Sequence, residues 1–369
     1  MTARSRIPAA LLVALACGCG DDSNAPDEAA EGGGTGTTAP TDHGEDDVQG
    51  NEDSASTSAG ESGSEGVGGE GGSESGGDGP PVVSPCPIDD GQCIFRHDTF
   101  GDEVLWTDVL RVNEMMEKVS PNDALALGLK LDLARIPIPT LAEIDREDPL
   151  WTVRLLQHDA FVGLSAVVEG ETITRLGITC SLCHSTVNDA GGAGIGLRRD
   201  GWPNRDLDVG AILANAPGLG DFAEERGVEV ELLRDAYRTW GPGRYDARFN
   251  MDLQSAPVLI PPAYGLEGVP LVTYTGDGGI SYWNAYVAVT QMGGQGRFGD
   301  PALGLEIDHD PDLVTRKLPA LRAYQHALVP PESPYDNLEA AARGEELFNG
   351  VAQCGSCHSG DAFTDAPVL

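Results

Sequence analysis

Residues 21–80 contain no Lys, no Arg and no aromatic side chain, yet carry 16 acidic residues and 16 Gly. So little apolar surface cannot offset the entropy lost on ordering, and we read this segment as a solvated, disordered tether. Cations are scarce throughout: 23 Lys and Arg face 59 Asp and Glu, a formal charge of -36. That deficit argues against nucleic acid as a partner, since a phosphate backbone needs positive charge beside it. Runs of apolar residues long enough to span a bilayer are also missing. The 289 residues from Pro81 onward hold 43 acidic and 21 basic side chains, a net charge of -22. They suffice for one large core or two smaller ones, and their balance suits a basic small protein as partner.

The first residues point to export. Arg4 and Arg6 form a positive n-region, residues 7–16 a short apolar run, and Ala16-Cys17 a small residue followed by cysteine. Val13-Ala14-Leu15-Ala16-Cys17 resembles a bacterial lipobox, with Ala14 where Leu is usual and Cys19 as a second, weaker candidate. The resemblance implies a signal over residues 1–16, a lipid anchor at Cys17 and a tether over 17–80. The folded body then stands off a membrane in the periplasm or at the cell surface, touching it through the lipid alone. The plainer alternative is that both cysteines are incidental.

The other six cysteines sort by spacing. Cys86 and Cys93 flank a turn-rich stretch and, in an oxidising compartment, are expected to pair. The remaining four lie in Cys180-Ser181-Leu182-Cys183-His184 and Cys354-Gly355-Ser356-Cys357-His358. Covalent haem c attachment needs two thiols within reach of one porphyrin edge and an imidazole directly after them to meet iron, and C-x-x-C-H supplies both. A disulfide, a thioredoxin-like pair or a zinc site are the competing uses of such thiols. Neither motif has a thioredoxin setting, and zinc would have to join clusters about 170 positions apart with both histidines left over. We therefore expect two covalently attached haem c groups, with His184 and His358 as the iron ligands.

The surroundings differ between the motifs. Asn337 to Asn349 reads as a helix, with Gly344 and Phe348 four apart on one face. Only 11 residues follow His358, so we expect the second haem site to be incomplete in this chain, with an exposed apolar edge. Ahead of the first motif, residues 155–168 and 173–178 suggest an extended pair or hairpin, a helix over the first half staying open. Helices are expected over 102–118 and 122–134, with Pro137, Pro139 and Pro149 as breaks and residues 191–196 as loop.

Beyond that loop, Arg198, Arg199, Trp202 and Arg205 gather three guanidiniums and an indole within an acidic protein, and Arg geometry suits haem propionates. A solvated charge run is the competing view. Arg244 and Arg248 are weaker candidates of the same kind. Residues 279–298 are rich in aromatics and amides, with Trp283 and Met292 among them, and read as a helix ending at Gly293-Gly294 that roofs the first haem. For the sixth iron position His97, His158, His309, His326, Met251 and Met292 are available, and spacing does not choose.

The paired motifs, their separation, the phrase Gly177-Ile178-Thr179-Cys180-Ser181-Leu182-Cys183-His184-Ser185 and the later Arg343-Gly344-Glu345-Glu346-Leu347-Phe348 resemble the di-haem cytochrome c peroxidase superfamily. The likeness leans toward the branch of di-haem rubber oxygenases and secreted di-haem cytochromes. Ser255-Ala256-Pro257-Val258-Leu259 resembles a degenerate form of a Thr-Pro-x-Leu-Arg-Asn segment found there. This resemblance implies a mainly α fold with few strands: a first cytochrome c-like domain over 81–330 and the start of a second over 331–369. It also implies a potentially reactive haem at His184 and a relay haem at His358, often joined in the family across a bridging tryptophan, with Trp283 a candidate catalytic residue and Phe298 one in an apolar distal pocket. Calcium between domains is known in the superfamily, but no ligand series here is assigned to it. The expected function is extracytoplasmic electron transfer with a small redox protein or other donor or acceptor, extending to peroxide reduction or oxygen activation. A non-enzymatic two-haem carrier and a zinc-stapled binding module are the alternatives.

Overall fold

The structure is a computed structural model and describes residues 85–137, 140, 143–249, 254–273, 276–332, 336–360 and 363. The export signal, Cys17, the tether and Met251 lie outside the described residues. Apolar residues come in short runs broken by Gly and Pro, so the elements are short. The α-helix Leu338–Asn349, at 12 residues, is the longest described. Among the described residues, five two-stranded sheets stand between the helices. The described region is therefore mixed helix and strand, not mainly α. Extended segments close onto one another locally instead of building one large sheet.

One hairpin organises the region before the first motif. Leu164–Glu169 runs antiparallel to Thr172–Ile178, with Leu164 opposite Ile178 and Glu169 opposite Thr172. Gly170, at φ +65°, makes the turn between them. The expected extended pair is thus present, and the residues ahead of it form the helix Pro149–Gln157. Pro149 opens this helix instead of breaking one. Its missing N–H falls where a helix leaves N–H groups unpaired, and the Asp148 side chain caps the Leu150 N–H at 3.0 Å.

The outer edge of Thr172–Ile178 is closed by side chains, not by another strand. Glu117 accepts from the Ile173 N–H at 2.8 Å, and Asn113 donates to the Ile173 carbonyl at 3.0 Å. Thr107 accepts from the Leu176 N–H and donates to the Leu176 carbonyl at 2.8 and 2.9 Å. Asp102 accepts from the Ile178 N–H at 3.2 Å. These groups sit on the stretch expected as one helix over 102–118. It divides into a π-helical turn, Val104–Val109, and the helix Val112–Met116, separated at Arg111 with φ +55°. The interruption lets successive polar side chains follow an extended strand, whose rise per residue exceeds that of a helix.

The helix expected over 122–134 stops at Ala126. Gly128 turns the chain at φ +83°, and a Cβ there would lie 1.9 Å from the Asp206 carbonyl oxygen. Leu131–Asp132 then pairs in parallel with Ile195–Gly196, so part of the expected 191–196 loop is strand. A disulfide joins Cys86 to Cys93, which lies in the first turn of the helix Gly91–His97. That helix crosses Leu318–Ala327 so closely that a Cβ on Gly91 would meet the Ala320 carbonyl oxygen at 2.0 Å. The core between these elements includes Phe95, Phe161, Leu155, Leu176 and Leu207.

Two glycines test this account by chemical denaturation. Gly128→Ala is expected to lower stability by at least about 2 kcal/mol, from the left-handed backbone and the contact with Asp206. Gly220→Ala lies in the helix Leu219–Glu225 with open space where its methyl would go. It should raise stability by about 0.5–1 kcal/mol.

Candidate functional site

The strand Thr172–Ile178 delivers the chain directly into the first C-x-x-C-H turn. The Thr179 N–H donates to the Gly163 carbonyl at 3.0 Å, and the Leu182 N–H to the Thr179 carbonyl at 3.0 Å. The His184 N–H closes one turn of helix on the Cys180 carbonyl at 3.2 Å. The end of the turn is capped from the following segment. Asn204 N–H donates to the Cys183 carbonyl and Gly201 N–H to the His184 carbonyl, each at 2.8 Å. A short ladder of Ser185–Val187 with Arg198–Asp200 holds that segment in place.

Within this frame the His184 ring is oriented by one contact: Nδ1 lies 3.1 Å from the Pro261 carbonyl oxygen. A carbonyl only accepts, so Nδ1 carries the proton and Nε2 keeps its lone pair. Burial lowers the His184 pKa, against an upward pull from the Pro261 carbonyl. The ring is thereby kept neutral, the form that binds a metal. Burial also pushes both thiols of this motif up to about 12, Cys180 with added pressure from Asp98 and Asp102.

The second motif repeats the arrangement. The His358 N–H donates to the Cys354 carbonyl at 2.9 Å, and His358 Nδ1 lies 3.1 Å from the Phe363 carbonyl oxygen. The Phe348 ring stands 6.5 Å from the His358 ring and 5.9 Å from Phe363. The helix bearing it, Leu338–Asn349, buries none of its residues, and Gly344 faces open space. All four motif cysteines are free thiols, unlike Cys86 and Cys93.

Two reduced thiols and a neutral, carbonyl-oriented imidazole on one turn fit a porphyrin joined through two thioethers, with Nε2 toward iron. They fit zinc less well. Among the described residues no three His, Cys, Asp or Glu side chains converge to hold a metal ion, so neither a joint zinc clip nor a calcium position is assembled.

The guanidinium cluster expected after the first motif is divided. Arg198 is buried, with Nε 3.3 Å from Asp132, while its Nε and Nη1 have no hydrogen-bond partner. Arg199 stacks over the Trp202 ring at 4.9 Å, and Arg205 is exposed. Strand alternation separates Arg198 from Arg199, sending them to opposite faces. Arg248 pairs with Asp277. Trp283 is on the helix Ile280–Tyr286 and Phe298 on the strand Arg297–Asp300. They meet through Tyr286, whose ring lies 5.5 Å from Trp283 and 5.4 Å from Phe298. Trp283 Nε1 is buried without a partner among the described residues.

The candidates for the sixth position are scattered. His97 is half-buried beside Arg198, Arg96 and Arg135, and burial lowers its pKa first, then Arg198. His309 Nδ1 meets the Gly296 backbone, His158 ends the helix Pro149–Gln157, and His326 is half-buried on Leu318–Ala327. Met292 is buried, its carbonyl accepting from Trp106 Nε1 at 2.9 Å.

Sequence reasoning missed Pro261, Asp98, Asp102 and Tyr245. Tyr245 is half-buried and donates to Gln291 at 2.7 Å. Burial raises its pKa well above the usual phenol range, with Cys183 the next contributor. Its place in the aromatic phrase Trp240 to Phe249 was its one available signal.

Comparison of the chain with protein-family models, with curated proteins and with solved structures found no match. No helix among the described residues is long and apolar enough to cross a membrane.

Thiol reactivity in the haem-free chain reports on this geometry. At pH 8 a thiol with a pKa of about 12 is about 0.01% thiolate, so Cys180 and Cys183 should alkylate slowly. The exposed Cys354 and Cys357 should react at least about 100-fold faster. Mass mapping of iodoacetamide-labelled peptides over time checks this.

Proposed function

We propose that this chain is an exported di-haem c-type cytochrome, lipid-anchored at Cys17, that exchanges single electrons with a small redox protein outside the cytoplasm. The observation that carries the proposal is the duplicated local geometry at His184 and His358: the same one-turn closure, the same Nδ1-to-carbonyl contact and free thiols at both places. A bound haem supplies one-electron chemistry between ferric and ferrous iron. Cys180 with Cys183, and Cys354 with Cys357, attach the two groups, while the Pro261 and Phe363 carbonyls aim the imidazoles. Buried donors without partners, Arg198 Nη1 and Trp283 Nε1, suit propionate oxygens, because an unpaired buried N–H costs about 1–3 kcal/mol until an acceptor arrives.

Peroxide reduction or oxygen activation at the His184 side extends this reading, with Trp283 and Phe298 as the aromatics beside the reacting group. Its support is the resemblance to the di-haem peroxidase superfamily. The cytochrome c-like domains over 81–330 and 331–369 belong to the same reading.

The test is protein matured in a host with a haem c attachment system. The expected product has a Soret band, thioether-type reduced spectra and the mass of the polypeptide plus two haems. Replacing Cys180 and Cys183 together by Ala should leave one haem and about half the absorbance. Mature material with the bare polypeptide mass and no visible absorbance would refute the proposal. Cyanide binding to the oxidised protein, or carbon monoxide binding to the reduced protein, then separates an open iron from a carrier with both irons saturated.

A further inference from the structure

Three carboxyl groups are buried within six residues of the segment that covers the strand leading to the first motif: Asp98, Asp102 and Glu103. Two have evident partners. Asp98 pairs with Lys317 at 2.7 Å and accepts from the Phe100 N–H at 2.9 Å, and Glu103 accepts from the Thr99 hydroxyl at 2.6 Å. Asp102 is fully buried, and among the described residues its donor is the Ile178 N–H, at 3.2 Å to each oxygen. Space is made for it deliberately by Gly177, where a Cβ would lie 2.3 Å from Asp102 Oδ1. The carboxyl therefore sits against the backbone two residues before Cys180, and both it and Asp98 raise the proton affinity of the Cys180 thiol.

A carboxylate with one neutral donor, two acidic neighbours and no cation of its own is poorly stabilised as an anion. Burial first, then Glu103 and to a lesser degree Asp98, push its pKa well above the carboxylate range, against the pull of the Ile178 N–H. The remaining charged or titratable groups facing this cluster are Lys317, engaged with Asp98, and the Cys180 thiol, which thioether formation would consume.

Resting on the haem reading above, we propose that Asp102 couples electron transfer at the first motif to protonation, its carboxylate taking one proton from solvent as one electron enters the haem held by Cys180, Cys183 and His184. The electron comes from an external one-electron donor. The one bond formed is the Asp102 O–H, and reoxidation returns the proton to solvent. The physical cause is charge compensation: an added electron cancels one positive charge near a buried group, and low local dielectric leaves that change weakly screened. Because the reduced protein binds the extra proton, its midpoint potential falls as pH rises between the two pKa values of Asp102, in oxidised and reduced protein. For one proton per electron the limiting slope is about 59 mV per pH unit.

The experiment is a spectroelectrochemical titration of the holoprotein across pH, with Asp102→Asn and Glu103→Gln beside the wild type. The wild type should show the sloping region at the first haem, Glu103→Gln should keep it but displaced to lower pH because one charge that raises the Asp102 pKa is gone, and Asp102→Asn should flatten it. A wild type without a slope, a slope unchanged in Asp102→Asn, or one abolished in Glu103→Gln would overturn the assignment. Redox-difference infrared spectroscopy of the wild type needs no variant: reduction should raise the carbonyl stretch of a protonated carboxyl, and its absence counts against Asp102. Material without a Soret band would sink the haem reading itself, whereas haem-loaded protein with a pH-independent potential sinks the coupling alone.

Discussion

An imidazole can serve a metal only when one ring nitrogen is held and the other is left free. Here a backbone carbonyl does the holding at both motifs, Pro261 for His184 and Phe363 for His358, each at 3.1 Å. A carbonyl cannot donate, so it selects one tautomer and forbids the other, and it resists rotation of the ring in a way that a mobile side chain would not. The two thiols of each motif lie three positions apart on the same turn as that imidazole. Everything proposed for this chain depends on that orientation.

The two motifs meet the demand with different supports. His184 relies on long-range structure: the hairpin ending at Ile178, the capping N–H groups of Gly201 and Asn204, and a carbonyl 77 positions away. His358 relies on its neighbours, with Phe363 five positions on and the Phe348 ring beside it. The first site is consequently half-buried, and desolvation there shifts its thiols, its imidazole and Tyr245 together. A partly desolvated environment of this kind makes nearby charges more interdependent, because less water is there to screen them.

That interdependence explains the acidic segment behind the first motif. An edge strand exposes unpaired backbone groups, and this one is closed by Glu117, Asn113, Thr107 and Asp102 in turn. Glu117 and Asn113 are only half-buried, and Thr107 both donates to and accepts from Leu176. The fourth places a carboxyl in the interior beside Cys180, where stability alone would favour a neutral residue. A residue costly to the fold and adjacent to the candidate redox site has a natural reading as part of the chemistry.

Local pattern made much of this legible. The C-x-x-C-H spacing, the Cys86–Cys93 pair, the capped helix at Leu338–Asn349 and the hairpin before Cys180 are all short-range features, in which neighbouring residues alone set the outcome. The divided 102–118 helix, the strand at Ile195–Gly196 and the mixed fold were not legible, since each answers to a partner distant in sequence. Arg198 and Arg199 look alike as adjacent cations, yet a strand sends one inward to Asp132 and the other outward to Trp202. The amino-acid order by itself determined which side chains are candidates for attachment and ligation, because the C-x-x-C-H pattern is local. Only the tertiary structure decided which carbonyl holds His184 and which carboxyl lies buried beside Cys180, because both follow from packing between segments that no spacing rule connects.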